Sequence, residues 1–238
     1  VGVEGNLILP EKKLLELISI SNEEFYNREA LRNDIIALND IYANEGYANV
    51  DISPLIDQDE KEFIVHIAFE ITKNAQVYFE RIIISGNSKT RDKVIRRELR
   101  VYEQELFSAK RLKASVRNLY RLDFFEDIKV DTTAGSAEDK KNLKIEVKEK
   151  STGSFQLGAG YGNVESFFGV INIAERNLFG RGQRLALESK LGAQTLKFSV
   201  NFTEPWLFNI PLNARIEAYN WDYSFDEYDK HSIGGSLG

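Results

Sequence analysis

The sequence predicts two α+β modules of order βααββ over residues 1–150 and an antiparallel β-sheet over residues 151–238. Charge is concentrated in the first part, which holds 24 Lys and Arg and 28 Asp and Glu, against 7 and 9 in the second. The second part holds 11 of the 16 glycines and 14 aromatic residues. The first part also repeats itself at an offset of 81 residues, which predicts two copies of one module.

The composition excludes several classes of function. The 238 residues contain no cysteine, so disulfides, thiolate catalysis and cysteine-bound metals are excluded. His66 and His231 are too few for an imidazole-rich metal site, and neither has a Ser or second His at a useful spacing. The net charge of -6 argues against nucleic acid as a partner. We therefore expect no enzyme, no catalytic residue, no bound metal and no cofactor.

The repeat sets the predicted boundaries of the modules at 1–76 and 77–150. Val3-Glu4-Gly5-Asn6 aligns with Ile84-Ser85-Gly86-Asn87. At the same offset, two helical faces align through the pairs Asn27 and Ser108, Leu31 and Leu112, Ile35 and Val116, and Leu38 and Leu119. Apolar residues at this spacing predict the buried face of a helix in each copy.

In the first copy, Pro10 suits the first turn of a helix and Asn27 is expected to cap the second helix. A hairpin is predicted to follow, with strands over 49–56 and 63–71. The acidic run at 57–60 is interpreted as its turn, since it lacks the glycine and the ligand spacing of a calcium loop.

In the second copy, a β-branched strand is predicted over 77–84. Thr90 is expected to cap a first helix and Ser108 a second one. Strands are predicted over 127–132 and 143–147, joined by a polar loop over 134–141.

The last 88 residues alternate between apolar and polar positions, as half-buried or membrane-facing strands do. Leu196, Phe198, Val200 and Phe202 mark one apolar face. Alternation alone leaves a soluble sandwich and a membrane barrel both open. In a barrel, Trp206, Phe208, Tyr219 and Trp221 are expected at the interfaces with the bilayer. Phe167 and Phe168 are adjacent and cannot both face lipid, which predicts a bulge or a changed register there.

The first strand of this part is rich in glycine. Its alternation places Phe155, Leu157, Ala159 and Tyr161 on one face, and on the other Ser154, Gln156, Gly158, Gly160 and Gly162. Glycine weakens a strand, so the strand is expected to be weakly held. Relief of crowding in a curved sheet is the alternative reason for these glycines. A dinucleotide fingerprint is excluded by the spacing and by the lack of a following helix.

The repeated module, with a Gly-Asn pair closing its first strand, resembles the POTRA domain. Three later motifs resemble the BamA-like family of outer-membrane assembly proteins in the order of that family. They are the junction with the first barrel strand at 148–162, the turn Asn177-Leu178-Phe179-Gly180-Arg181-Gly182, and the strand exit Phe202-Thr203-Glu204-Pro205-Trp206-Leu207. At most six strands follow Gly153, whereas a membrane barrel needs about eight to close.

The resemblance implies the penultimate and last POTRA domains, followed at 151–238 by the first strands of a truncated outer-membrane β-barrel. It implies a Gram-negative outer-membrane location with the POTRA domains in the periplasm. The implied function is assembly of β-barrel proteins into that membrane. The implied partners are unfolded outer-membrane proteins, assembly-complex lipoproteins and outer-membrane lipid, with no nucleic acid.

The resemblance also implies two kinds of site. The strand from Gly153 to Gly162 is the expected lateral gate, at a seam that can open and template an incoming strand. The second strand of each POTRA module is the expected peptide-binding edge. The residues of these edges are Asn49, Val50, Asp51, Ile52 and Ser53 in the first module, and Ile128, Lys129, Val130, Asp131 and Thr132 in the second. Blunting of these edges by Asp51, Lys129 and Asp131 is the alternative.

Three other functions remain open from the residues alone. A two-partner secretion transporter or a TamA-like translocation factor would share the same modules. A soluble POTRA-type binding scaffold would have a sandwich in place of the barrel strands.

Overall fold

The structure is a computed structural model that describes residues 1–162, 166–225 and 227–238. The chain divides into two compact units. The first unit comprises residues 1–85, 99–118 and 129–146, and the second comprises residues 86–98, 119–128 and 147–238. The second module therefore contributes segments to both units. No helix among the described residues is long and apolar enough to cross a membrane.

The first module has the predicted βααββ order. Its elements are β1 (Gly2–Gly5), α1 (Glu11–Leu15), a 3₁₀ turn (Ile20–Asn22), α2 (Arg28–Asn44), β2 (Asp51–Asp59) and β3 (Ile64–Thr72). The sheet order is β1-β3-β2, with β1 parallel and β2 antiparallel to the central β3. Asn27 caps α2 as predicted, because its Oδ1 accepts hydrogen bonds from the backbone N–H groups of Glu29 and Ala30.

The core of the first module lies between α1, α2 and the sheet. Leu14, Leu38, Tyr42 and Phe69 are completely buried there. Buried polar groups in this module are paired, as they must be to avoid a desolvation cost. The carboxylate of Asp34, for example, accepts hydrogen bonds of 2.7–2.8 Å from the Ser19 backbone and hydroxyl and from the Ile20 backbone.

The second module repeats this order. Its elements are β4 (Tyr78–Ser85), α3 (Asp92–Arg96), α4 (Ala109–Leu122), β5 (Phe125–Ala134) and β6 (Lys140–Glu149). Its sheet order is β4-β6-β5, so the third strand of the module is again central. Leu119 is completely buried, as is its repeat partner Leu38. Leu112 and Val116 are only half-buried.

Two details of the first hairpin differ from the prediction. Its turn lies at 60–63 rather than 57–60, because Asp59 Oδ1 accepts hydrogen bonds from the backbone N–H groups of Lys61 and Glu62 and so forms the turn itself. The strand β2 begins at Asp51, so Asn49 and Val50 precede it. They are held in a turn, in which the Val50 N–H donates to the Tyr47 carbonyl.

The predicted cap at Thr90 is wrong. The residue that precedes α3 is Arg91, and no side chain caps this helix. Thr90 is buried and its groups are engaged elsewhere, since its N–H donates to Glu149 and its hydroxyl accepts a hydrogen bond from Asn177. Ser108 does accept a hydrogen bond, at 3.4 Å, from the Arg111 N–H in the first turn of α4.

The described residues between 153 and 237 include a six-stranded antiparallel sheet, in which each strand pairs with its neighbour in sequence. Its strands are β7 (Gly153–Gly162), β8 (Ser166–Leu178), β9 (Gln183–Gly192), β10 (Thr195–Glu204), β11 (Ala214–Ser224) and β12 (Asp229–Leu237). A short 3₁₀ turn, Leu207–Asn209, lies between β10 and β11. The edges of the sheet are β7 and β12.

The sheet has one apolar face, as the alternation predicts. Leu196 pairs with Leu191, Val200 with Leu187, and Phe202 with Leu185. Tyr219 and Trp221 do not belong to this face, which corrects the expectation that they lie at a lipid interface. They pair with Ser199 and Lys197 on the polar face, where their rings stack at 4.4 Å.

Neither a bulge nor a change of register occurs at Phe167 and Phe168. Pairing of β7 with β8 is regular from Ser166 to Glu175, and the irregularity in β8 lies between Glu175 and Leu178, against β9. Phe167 and Phe168 therefore point to opposite faces. Phe168 is accommodated on its face because it lies opposite Gly160, which has no side chain.

Candidate functional site: the glycine-rich edge strand and its anchoring turns

Among the described strands, β7 pairs with one neighbour only. It pairs antiparallel with β8, from Gly153 opposite Glu175 to Gly162 opposite Ser166, and it is an edge of the sheet. Phe155, Leu157 and Tyr161 lie on the apolar face and are 65–73% exposed. An edge with free N–H and C=O groups and apolar side chains can accept an additional strand.

The glycines of β7 are not equivalent. Gly160 is covered by the ring of Phe168, so that a Cβ added at Gly160 would lie 2.5 Å from Cζ of that ring. The ammonium of Lys190 lies 4.4 Å from the centre of the same ring. At Gly158, by contrast, an added Cβ would meet nothing within 4 Å. The strand is therefore supported at Gly160 and unsupported at Gly158.

The start of β7 is anchored by charged groups. The carboxylate of Asp123 contacts the side chains of both Lys150 and Arg176. Hydrogen bonds from Lys150, and then from Arg176, hold the pKa of Asp123 below its ordinary value. Thr152 is bound in the same region: its hydroxyl donates to Glu175, and its carbonyl accepts from the Arg176 N–H at 3.2 Å.

The turn between β8 and β9 is bound to the segment before α3 through Asn177. Its side-chain amide donates to the Thr90 hydroxyl at 2.8 Å, and its Oδ1 accepts from the Gly182 N–H at 2.8 Å. In the same turn the Gly180 carbonyl accepts from the Arg91 N–H at 2.9 Å. Gly180 has φ +69° and lies against Lys89, where an added Cβ would be 1.9 Å from the Lys89 carbonyl oxygen. Only glycine fits there.

Glu149 binds the same segment at the end of β6. Its carboxylate accepts hydrogen bonds from the Ser88 hydroxyl at 2.9 Å and from the N–H groups of Lys89 and Thr90 at 2.8 and 2.6 Å. Burial alone would raise the pKa of Glu149, but these hydrogen bonds outweigh it and hold the pKa below its ordinary value. The ionised carboxylate thus orders residues 88–90.

The turn between β10 and β11 contacts α3 in a similar way. The guanidinium of Arg97 stacks over the ring of Trp206, with Cζ 5.2 Å from the ring centre. Lys93 Nζ donates to Asn209 Oδ1 at 2.5 Å. Two turns at one end of the sheet are thereby fastened to residues 89–97.

The two peptide-binding edges predicted from the resemblance are edge strands in the structure, β2 in the first module and β5 in the second. The two edge strands differ in how long an uninterrupted run of backbone N–H groups they offer to an added strand. β2 contains Pro54, which lies opposite Phe69 and has no N–H to offer on either side. Pro54 thus divides β2 into the shorter segments 51–53 and 55–59, whereas β5 contains no proline over 125–134.

The sequence pattern indicates the glycine-rich strand but not the residues that support it. The roles of Asn177, Thr90 and Phe168 depend on contacts between segments 8 to 87 residues apart. One signal was present, because Asn177 begins the turn motif that carries the resemblance. Pro54 was also visible in the sequence as a residue that limits an edge strand.

Comparison with known families covers most of the chain. The POTRA family, described as a surface antigen variable number repeat, matches residues 1–74 and 77–150, which is more than half of the chain. The chain belongs to the POTRA family. The Omp85 superfamily domain matches residues 177–238. The sequence-based resemblance is thereby confirmed, as is the fold class of two POTRA modules followed by an antiparallel sheet.

Curated relatives are similar along the whole chain. The outer membrane protein assembly factor BamA of Nitratidesulfovibrio vulgaris is 30% identical over 241 residues, which cover 100% of this chain and 30% of the relative. The protein of the same name from Neisseria meningitidis is 30% identical over 226 residues, covering 92% and 28%. The chain thus spans about a third or less of the length of these relatives.

A solved structure supports the fold. The crystal structure of BamA from Haemophilus ducreyi lacking POTRA domains 1–3 matches with a TM-score of 0.81 at 22% identity, covering 90% of this chain and 41% of that one. At this identity the match shows the fold, in which POTRA modules and barrel strands occur in the order found here.

Proposed function

We propose that this chain is the barrel-proximal part of a non-enzymatic factor that assembles β-barrel proteins into the outer membrane. The observation that carries the proposal is β7, an edge strand that is rich in glycine and paired on one side only. Such a strand can pair with an extended segment of a substrate through its free backbone groups. The names and whole-chain similarity of the relatives support this reading.

The apolar face of the sheet meets the lipid of a Gram-negative outer membrane in this proposal, and the POTRA modules lie in the periplasm. The partners are unfolded outer-membrane proteins and the lipoproteins of an assembly complex. The modules would receive extended segments by strand addition. We assign the longer acceptor edge to β5, because Pro54 interrupts β2.

Strand templating requires that β7 be weakly held, and Gly158 is the position where this can be tested. Valine at position 158 has open space and raises strand propensity. In vesicles that contain the whole protein, we expect Gly158→Val to slow the folding of an unfolded barrel substrate. The conversion of substrate to its heat-modifiable, folded band on a gel measures the rate.

Gly169→Val is the matched control, since Gly169 lies in β8, opposite Ala159, and not at the edge. The proposal predicts a normal rate for this variant. A rate unchanged in Gly158→Val, or an equal loss in both variants, would show that the glycines serve curvature alone. A whole protein that does not accelerate substrate folding would contradict the assembly function itself.

A further inference from the structure

One end of the six-stranded sheet carries a group of exposed basic and apolar side chains that the proposed function does not use. We define it as the rim, which consists of Lys89, Arg91, Lys93, Phe179, Phe208 and Ile210. All six lie in the second compact unit.

Hydrogen bonds join the segment that carries the basic residues to the two turns that carry the apolar residues. The Arg91 N–H donates to the carbonyl of Gly180, the neighbour of Phe179. Lys93 Nζ donates to Asn209, which lies between Phe208 and Ile210. Residues 91 and 93 are therefore held beside the two turns that carry the aromatic rings.

The aromatic residues of the rim are placed outward at a conformational cost. Phe179 and Phe208 have φ +54° and +55°, in the left-handed region that bulky residues rarely adopt. Their exposed fractions are 77% and 82%, so no packing within the described chain compensates this strain. Strain of this kind is retained where the surroundings or a ligand make use of it.

The charge of the rim is opposite to that of the chain. Residues 86–98 contain five basic and two acidic residues, whereas the whole chain has a net charge of -6. Arg96 pairs with Asp92, and Arg97 lies near Glu98. Among the described residues, no carboxylate lies within ion-pair distance of the side chains of Lys89, Arg91 or Lys93.

The position of the rim favours a bilayer over a soluble acidic protein. The antiparallel order places both turns at the end of the sheet where β7 begins. The apolar pair Phe202 and Leu185 lies at the same end of the apolar face. Apolar side chains continue from this face into the turns, and the basic side chains lie next to them, as expected for residues at the depth of lipid headgroups.

We propose that the rim binds the anionic headgroups of the bilayer leaflet on the side of the POTRA modules, with Phe179, Phe208 and Ile210 inserted at the interface and Lys89, Arg91 and Lys93 on the phosphates. This inference rests on the proposed function, because it requires that the sheet span a membrane. Lipid binding by the rim would fix residues 89–93, and with them the segment that Asn177 and Glu149 hold.

The test uses the whole protein in phosphatidylcholine vesicles that contain spin-labelled phosphatidylglycerol or phosphatidylcholine. The motionally restricted fraction of each label gives the relative affinity. We expect a preference for phosphatidylglycerol that weakens with added salt. It should fall at least about tenfold in the variant Lys89→Glu, Arg91→Glu, Lys93→Glu, since each basic residue near an anionic surface contributes about a fivefold preference.

The control is Lys12→Glu, Lys13→Glu, Arg32→Glu, an equal charge change at exposed positions of the first module, which should keep the preference. The variant Phe179→Asn, Phe208→Asn tests the apolar contacts without loss of fold, because asparagine tolerates positive φ. It should also lose most of the preference. A preference retained in both rim variants, or lost equally in the control, overturns the inference.

The same samples separate the inference from the proposed function. Protein that resists carbonate extraction and still shows no preference for phosphatidylglycerol overturns the rim alone. Protein that carbonate removes from the vesicles does not span the bilayer, and this result overturns the proposed function as well.

Discussion

The side-chain amide of Asn177 donates a hydrogen bond of 2.8 Å to the hydroxyl of Thr90, and both residues are buried although 87 positions separate them. This bond joins the turn after β8 to the segment before α3. Because Asn177 also accepts from the Gly182 N–H, one side chain orders its own turn and fastens it to the POTRA segment.

Removing the side-chain amide of Asn177 should lower the stability of the folded protein. We expect Asn177→Ala to lower the free energy of unfolding by about 1–3 kcal/mol, because buried partners at Thr90 and Gly182 lose their hydrogen bonds. Thr90→Val removes the bond between the two side chains and leaves the bond from the Gly182 N–H to Asn177 in place. Urea denaturation of both single variants and the double variant gives the coupling energy. Strictly additive losses would show that the two side chains do not interact.

Acid should weaken the segment that Glu149 holds. The pKa of this carboxyl is lower in the folded protein than its ordinary value of 4.5, so its contribution is fully present above pH 4.5. It is lost as the pH falls through the lowered folded pKa. We expect Glu149→Gln to be less stable than the parent at neutral pH and to lose less stability on acidification. The urea midpoints of the parent and of Glu149→Gln, measured from neutral to acidic pH, test this prediction. Midpoints that fall in parallel with pH in the two proteins would contradict it.

Substitutions at the glycines of β7 should have opposite signs. Gly158→Ala has open space and replaces glycine, which is less favourable than alanine in a strand, so it should raise the stability of the β7–β8 pair by about 0.5–1 kcal/mol. Gly160→Ala forces the Phe168 ring away and should lower the stability of the β7–β8 pair. Hydrogen exchange of β7 amides measures both effects. Equal protection in the two variants would show that Phe168 does not support the strand.

The two helical cores should respond alike to loss of their repeated leucine. Leu38→Ala and Leu119→Ala each leave a cavity at a completely buried position, and each should cost about 2–5 kcal/mol in unfolding free energy. Leu112→Ala, at a half-buried position two turns earlier on the same helical face, should cost less. If Leu112→Ala lowered the free energy of unfolding as much as Leu119→Ala, this result would contradict the prediction that Leu119 contributes more than Leu112 to the core of the second module.

Local patterns in the sequence were sufficient for the fold class. The offset of 81 residues pairs Leu38 with Leu119, and both are completely buried in their helices. The cap at Asn27 and the alternation that separates Val200 from its polar neighbours also follow from short-range rules, because helix periodicity, capping and strand alternation each depend on residues a few positions apart. The glycine content of β7 was visible in the same way.

The tertiary structure decided what each of these residues contacts. Thr90 looked like a helix cap but binds Asn177 and Glu149, and Tyr219 and Trp221 lie on the polar face because of the pairing register of β10 with β11. Phe168 needs no bulge because Gly160 lies opposite it. Such contacts depend on which distant segments meet and in what register, and a shift of one residue moves a side chain to the other face of a sheet. Composition and local periodicity do not specify that choice by themselves.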